Sequence, residues 1–137
     1  MSLDKNRYEA QRWLSTAGDD LNAAEILFNG GKFSHVCFLS QQCGEKALKA
    51  IWFFLDEDPW GHSIQKLIEE IPEEQTKQNL FTLKTEGAML DRHYIPARYP
   101  NGLPDLTPGE CYFKSDAEKC MDAARKILDR ARAILGE

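Results

Sequence analysis

The sequence has few histidines and none of the short motifs that mark the commonest catalytic sites. Its three histidines, His35, His62 and His93, do not stand in the H-x-x-x-H or H-E-x-x-H spacing of a zinc site. The patterns G-x-x-x-x-G-K-[ST], G-x-G-x-x-G and G-x-S-x-G are all absent. The sequence therefore predicts no metal site, no cofactor and no stand-alone catalytic site of these kinds.

The chain also lacks closely spaced cysteines, long apolar runs and an excess of positive charge. None of its four cysteines forms a C-x-x-C pair, which favours small buried side chains over a disulfide framework. No apolar run reaches the roughly 18 residues of a membrane span, and residues 1–5 lack a signal-peptide core. We therefore expect a cytoplasmic protein with no membrane association. The net charge of -5 argues against a general nucleic-acid binder, although a local basic patch remains open.

Helical periodicity is what the sequence does contain. Three segments place apolar or small residues at alternating steps of four and three, which keeps them on one helical face. These stripes run from Ala10 to Phe28, from Val36 to Phe54 and from Ala117 to Leu135. The length of 137 residues suits one domain, so we predict a single domain over residues 1–137.

Breaks in the pattern divide the chain into its elements. Gly30-Gly31 is expected to end the first helix, and residues 58–61 close the second. A short helix begins near His62, where capping explains the histidine. A fourth long helix is predicted from Pro72, and residues 115–118 read as a capping box that opens the last helix.

The segment 94–113 differs from the rest because it holds four of the six prolines. Its tyrosines and Ile95 predict that it is ordered against the helices. The predicted fold class is all-α, an up-and-down antiparallel four-helix bundle with one extra short helix and a long ordered loop before the last helix. Apolar surface left over on Trp52, Phe53, Trp60 and the loop tyrosines suggests a homodimer.

A second stripe on the second helix is apolar at its ends and polar in its middle, where Gln41 and Glu45 stand. A buried carboxylate is costly unless it is paired and hydrogen-bonded. We expect Arg98 of the loop to be the partner of Glu45, since a guanidinium can grip a carboxylate with two bonds. Tyr94 and Tyr99 are candidate hydroxyl donors.

Two interpretations of this constellation remain open. In one, Glu45 and Arg98 form a buttress that pins the loop to the bundle. In the other, they line a cleft in which a basic residue meets a phosphate, while Lys46 and Lys49 otherwise fit a solvated helix face. The ligand-binding candidates are Arg98, Tyr99, Tyr94, Glu45, Lys49, Gln41 and Lys46.

Several short motifs in this order resemble one known family. They are Gln41-Gln42, residues 45–49 (E-K-A-L-K), Gly61-His62-Ser63, Leu90-Asp91 with Tyr94-Ile95, and Arg98-Tyr99-Pro100. From about Tyr8 to Leu135 the chain resembles the HEPN domain family (higher eukaryotes and prokaryotes nucleotide-binding). The resemblance implies an up-and-down helical bundle that often dimerises, a nucleotide-binding role and association with a minimal nucleotidyltransferase in toxin–antitoxin-like pairs.

Many members of that family are metal-independent ribonucleases in which four to six residues separate an arginine from a following histidine. This chain departs from the pattern, because Leu103, Pro104 and Asp105 stand at those distances from Arg98. None of them can act as an acid or base in the way an imidazole does near neutral pH. No complete catalytic pair is predicted, and Arg98 and His93 are the nearest candidates.

Three functional hypotheses follow. The first is a non-catalytic nucleotide- or RNA-binding module that acts with a minimal nucleotidyltransferase partner in a toxin–antitoxin-like pair. The second is a metal-independent ribonuclease toxin with a degenerate Arg/His site. The third is a purely structural protein-interaction domain, with Arg98 serving the fold.

Overall fold

The computed structural model describes residues 3–137. Met1 and Ser2 lie outside the described residues, although the predicted domain and the stretch without a signal-peptide core both include them. Its helices are α1 (Leu3–Asn29), α2 (Phe33–Phe54), α3 (Ile64–Glu69), α4 (Glu74–Phe81), α5 (Lys84–Asp91), α6 (Pro108–Cys111) and α7 (Lys114–Leu135), with a 3₁₀ turn at Pro100–Gly102. No strand occurs between residues 3 and 137. The predicted all-α bundle is confirmed.

Helices α1, α2 and α7 pack against one another and form the centre of the bundle. Their predicted stripes are buried from Ala10 to Ala24 in α1, from Val36 to Ala50 in α2 and from Ala117 to Leu135 in α7. Small side chains along these stripes let the helices approach closely. Helix α2 also contacts α3, α5 and α6, so it is covered on more than one face.

The predicted fourth long helix is wrong, because the chain breaks between α4 and α5. Glu73 rather than Pro72 opens α4, and its carboxylate accepts the N–H of Thr76 at 2.8 Å. At the break, the N–H of Leu83 bonds to the carbonyl of Leu80 at 2.9 Å. Leu83 is buried there, and α5 then packs on α2, α3 and α7. Tertiary packing thus divides between two helices an apolar stripe that one straight helix could also have formed.

The predicted end of α1 agrees with the structure, whereas the predicted start of the last helix does not. Gly31 has φ +74°, and its N–H bonds to the carbonyl of Phe28 at 3.1 Å, which confirms the predicted stop of α1. Helix α7, however, begins at Lys114, and Asp116 accepts the N–H of Phe113 at 2.8 Å. The predicted capping box of residues 115–118 is therefore wrong, because the N-cap is Phe113 and Asp116 holds the position three residues later.

The segment 94–113 is ordered, as predicted, but different residues anchor it. Ala97 and Tyr112 are buried, whereas Ile95 is 43% exposed, so the expected anchoring by Ile95 is wrong. Two residues predicted as free apolar surface are also engaged. The indole N–H of Trp52 donates to the carbonyl of Leu67 at 3.1 Å, and the ring of Phe53 stacks on Trp13 with centroids 5.4 Å apart.

Two classes of feature are missing from the part of the chain that the structure describes. None of its helices combines the length and apolarity needed to cross a bilayer. Nor do three or more histidine, cysteine, aspartate or glutamate side chains gather there in a group that could hold a metal ion.

Candidate functional site

The site begins with the turn that leads into α3. Gly61 has φ +79°, a conformation that favours glycine. Asp91, the last residue of α5, accepts hydrogen bonds from the N–H groups of Ile64 at 2.8 Å and Gln65 at 3.0 Å. A carboxylate in this place satisfies unpaired donors and complements the positive end of the helix. Its second oxygen also accepts the hydroxyl of Ser63 at 2.8 Å, so α5 fixes the turn firmly.

Gln41 ties this turn to α2. It is fully buried, and its side-chain N–H₂ donates to the carbonyl of His62 at 2.8 Å and to Asp91 at 3.3 Å. Its oxygen accepts from Gln42 at 2.9 Å. The structure therefore gives this ligand candidate a positioning role: it holds the turn that carries His62.

Glu45 lies one helical turn further along α2 and is 4% exposed. The ammonium group of Lys49 lies 3.0 Å from its carboxylate, and Nδ1 of His62 lies 3.3 Å from the same oxygen. The expected Glu45–Arg98 pair is therefore wrong, because the carboxylate takes its cation from its own helix. Lys49 is only 12% exposed in its side chain, so its reading as a solvated residue is wrong as well.

Lys46 points to a different part of the bundle. Its ammonium group lies 2.7 Å from the carboxylate of Asp20 in α1, and both side chains are largely buried. The structure thus brings Glu45 and Lys49 together but separates Lys46 from them. It places Lys46 among residues that join α1 to α2.

His62 is the site residue that sequence reasoning missed, because capping seemed to explain it. Ser63 is the N-cap of α3 instead, and its hydroxyl accepts the N–H of Lys66. The side chain of His62 is 61% exposed and stacks on Tyr94 with centroids 4.9 Å apart and planes at 18°. The sequence did contain one signal for this role: a buried carboxylate needs a partner, and Nδ1 of His62 faces that of Glu45.

Arg98 is held by aromatic rings rather than by a carboxylate. Its guanidinium carbon lies 4.4 Å from the ring centre of Phe38, 4.5 Å from that of Tyr94 and 5.1 Å from that of Tyr99. Its Nε donates to the carbonyl of Tyr94 at 2.8 Å. Within residues 3–137 no carboxylate pairs with Arg98. The N–H donors of its two terminal NH₂ groups therefore have no hydrogen-bond partner there.

Arg98 lines a cleft of about 580 Å³ at one end of α2. Besides Arg98, the cleft is lined by residues 31–35, Phe38, Ala97 and residues 108–109. The described lining residues include the cations Lys32 and Arg98 but neither aspartate nor glutamate. In a chain of net charge -5, this is a local concentration of positive charge. The volume falls in the range of small-molecule sites.

His93, the second catalytic candidate, lies in another environment. Its Nδ1 is 2.8 Å from the hydroxyl of Tyr112, whose pKa is raised by burial. Nearby, the hydrogen bond between Cys37 and Cys120 lowers the pKa of Cys120 and raises that of Cys37, and His93 adds to the lowering. His93 does not line the cleft, so the structure separates the two catalytic candidates.

Comparison with known proteins shows that most of the chain matches one protein family. The sequence profile described as HEPN domain matches residues 10–134. The Methanocaldococcus jannaschii protein named "Putative toxin MJ1304" is 28% identical over 135 residues, which cover 93% of this chain and 89% of that protein.

Solved structures agree with that match. TT1696 from Thermus thermophilus superposes with a TM-score of 0.84 and 32% identity, over 90% of this chain and 96% of the other. ST0689, described as an archaeal HEPN homologue, gives a TM-score of 0.76 and 32% identity, over 92% and 97%. An HEPN domain protein (tm0613) from Thermotoga maritima gives 0.67 and 28%, over 92% and 98%.

Proposed function

The chain belongs to the HEPN domain family, and we propose that it is a toxin-like member that binds the phosphate groups of RNA or of a nucleotide in the Arg98 cleft. The observation that carries the proposal is the state of Arg98. Three aromatic rings and one backbone carbonyl fix its position, while its terminal NH₂ groups remain unpaired at a cleft without carboxylates. A fixed guanidinium with unpaired donors is suited to a phosphate.

The aromatic rings around Arg98 support the same ligand. Tyr99 is 49% exposed and Phe38 lines the cleft, so we expect a base to stack on the part of these rings that Arg98 does not cover. Stacking of this kind contributes about 1–3 kcal/mol per base and tolerates any sequence. The acidic net charge elsewhere would confine binding to this one local surface.

Binding is tested by thermal unfolding and by fluorescence anisotropy with short RNAs and mononucleotides. A ligand at 100 times its dissociation constant should add about 2.7 kcal/mol to the free energy of unfolding. Arg98→Ala should lose this stabilisation and yet stay folded, since Arg98 neutralises no buried carboxylate. Arg92→Ala is the matched control: Arg92 is exposed, carries the same charge and does not line the cleft. If no nucleotide or RNA shifts the wild type, the proposal is wrong, and the third hypothesis, an interaction domain, takes its place.

The toxin-like role includes a partner. We infer that the chain acts with a minimal nucleotidyltransferase in a toxin–antitoxin-like pair, supported by family membership and by the toxin name of the Methanocaldococcus relative. Induced expression of the chain alone in a bacterial host should slow growth, and Arg98→Ala should relieve this. Co-expression of a minimal nucleotidyltransferase should restore growth. Normal growth during strong expression of soluble wild-type chain would contradict the toxin role.

One observation favours a second candidate function, the metal-independent ribonuclease. The imidazole of His62 stacks on the ring of Tyr94, and the same ring contacts Arg98. The buried carboxylate of Glu45 orients Nδ1 of His62. An imidazole oriented by a carboxylate is suited to proton transfer, and Arg98 to stabilising charge on a phosphate. The histidine absent from the sequence after Arg98 would thus come from the turn before α3.

The ribonuclease is tested by incubating purified protein with total RNA in the presence of a chelator. Cleavage should disappear in His62→Ala and in Arg98→Ala. His93→Gln serves as the control, because His93 contacts Tyr112 rather than the rings around Arg98, and its loss should leave cleavage intact. RNA that stays whole with the wild type would exclude this activity while leaving the binding role standing.

A further inference from the structure

The beginning of α2 leaves several backbone donors without partners at the cleft. The N-cap residue Lys32 makes no side-chain cap, and the first backbone bond runs from the N–H of Val36 to the carbonyl of Lys32. The N–H groups of Phe33, Ser34 and His35 therefore find no acceptor within residues 3–137. All three residues line the cleft. The positive end of a helix of 22 residues faces this space.

A serine hydroxyl at the same place adds an independent observation. Ser34 is 5% exposed and lines the cleft, and its hydroxyl has no hydrogen-bond partner within residues 3–137. Unlike the hydroxyl oxygen of Ser40, that of Ser34 is not closed off from solvent. A group that enters the cleft can therefore bond to a hydroxyl for which the fold provides no partner.

The charges at the cleft favour an anion with more than one charge. Arg98, whose terminal NH₂ groups are unpaired, and Lys32 both line the cleft. With the three N–H groups and the Ser34 hydroxyl, six donor groups surround one space. An internal phosphodiester offers one negative charge and two free oxygens. A terminal phosphate offers about -1.5 to -2 charges and three strong acceptor oxygens, which match this donor set better.

We propose that the cleft between the start of α2 and Arg98 binds a terminal phosphate group, the phosphomonoester of a mononucleotide or of an RNA end. This inference rests on the proposed function and narrows it, because it names the part of the nucleic acid that is bound. Ser34 and the helix N-terminus recognise the phosphate, and Arg98 completes the set. The bound chain then leaves past Phe38 and Tyr99, whose rings surround the guanidinium.

The test compares one octanucleotide RNA with a 5′-phosphate, with a 3′-phosphate and with hydroxyls at both ends, with AMP as a fourth ligand. Wild-type protein should bind one phosphorylated RNA at least about tenfold more tightly than the hydroxyl-ended RNA, the size expected for a hydrogen bond to a charged group. Ser34→Ala should reduce that preference by about tenfold. Ser40→Ala is the matched control, since Ser40 is another buried, unpartnered serine on α2 that does not line the cleft.

The outcomes separate this inference from the proposal it rests on. Equal binding of all three RNAs, weakened only by Arg98→Ala, would overturn the terminal-phosphate site and leave RNA binding intact. Stabilisation by AMP that Ser34→Ala abolishes, with no RNA bound, would support the site with a mononucleotide as its source and remove RNA as the ligand. An equal loss in Ser34→Ala and Ser40→Ala would overturn the role of Ser34. No response to any of the four ligands would overturn both proposals.

Discussion

At the scale of single residues, the carboxylate of Glu45 organises the centre of α2. Only 4% of Glu45 is exposed, and Lys49 one turn away supplies the compensating charge at 3.0 Å. Breaking a buried pair from one side leaves the other charge uncompensated. His62 shares the carboxylate, so the same interaction that stabilises the bundle also orients a ring at the candidate site.

We predict that Lys49→Met lowers the free energy of unfolding by about 3 kcal/mol, because it leaves Glu45 buried without its lysine. Urea unfolding measures the change. Lys66→Met is the control, since Lys66 and Glu70 form a pair of the same i,i+4 spacing with side chains 69% and 57% exposed. That variant should differ from wild type by less than about 0.5 kcal/mol. Equal losses in the two variants would contradict the importance of burial.

A second residue-scale prediction concerns alkaline pH. Burial raises the pKa of the Cys43 thiol from 9.0 to about 12. The unfolded chain therefore releases this proton first, and the stability contributed by the neutral thiol is fully present below pH 9 and lost between pH 9 and about 12. One such group gives a slope of about 1.4 kcal/mol per pH unit.

Urea unfolding across that window should give a shallower loss of stability for Cys43→Ala than for wild type. Cys111→Ala is the control, because Cys111 is not fully buried, and it should keep the wild-type slope. Parallel curves for wild type and Cys43→Ala would show that the thiol does not carry the effect.

How far the sequence predicts the site depends on the range of each interaction. The burial of Gln41 and Glu45 agrees with their place between the apolar ends of one stripe of α2. The partner of Glu45 could not be chosen from composition, since a lysine on the same helix, a loop arginine and a distant histidine were all compatible. The sequence contained Arg98 and its tyrosines, but only tertiary structure stacks them and brings His62 to Tyr94.

At the scale of elements, α3 is inserted between α2 and α5 at two glycines. A Cβ on Gly44 would meet the Cδ1 atom of Ile64 at 2.6 Å. A Cβ on Gly87 would meet Cγ2 of the same isoleucine at 2.8 Å and the backbone nitrogen of Gln65 at 3.4 Å. The absence of side chains at these positions is what lets α3, and with it the His62 turn, lie so close to α2.

We predict that Gly87→Ala destabilises the fold by about 1–3 kcal/mol, because the added methyl meets Cγ2 of Ile64 at 2.8 Å and its branched Cβ at 3.3 Å. Gly18→Ala is the comparison. Gly18 also lies within a helix, but its Cβ would meet only the flexible end of Arg132 at 3.3 Å. It should gain up to about 1 kcal/mol from helix propensity. Equal effects of the two substitutions would contradict the tight packing of α3.

The same packing explains why the fourth helix was predicted incorrectly. Leu80, Leu83 and Leu90 lie at spacings that one straight helix satisfies, and all three are buried in the structure. The break at Leu83 arises because α5 must reach α2 and α7 while α4 contacts α3. A single-sequence pattern records that residues are buried but not which neighbours bury them.

At the scale of the whole molecule, four of the nine large apolar side chains that are exposed within residues 3–137 belong to the segment that carries Arg98. They are Ile95, Tyr99, Leu106 and Phe113, which are 43%, 49%, 48% and 64% exposed. Trp60, 83% exposed, lies apart in the turn before α3. Exposed apolar surface of this kind commonly marks an interface, and two-fold pairing is the commonest arrangement of identical chains.

We therefore predict that the chain forms a homodimer through the face formed by residues 95–113. Sedimentation velocity should give the mass of two chains for the wild type and of one chain for Leu106→Lys, because a lysine in the contact would be desolvated without a partner. Trp60→Lys, a control with equal charge on another surface, should remain dimeric. Arg98 lies within the same segment. If both chains contribute to the cleft, the dissociated Leu106→Lys variant should also bind RNA more weakly than the wild type. Dissociation by Trp60→Lys alone would move the interface to the α3 turn, and a wild type that sediments as one chain at every concentration would contradict the dimer itself.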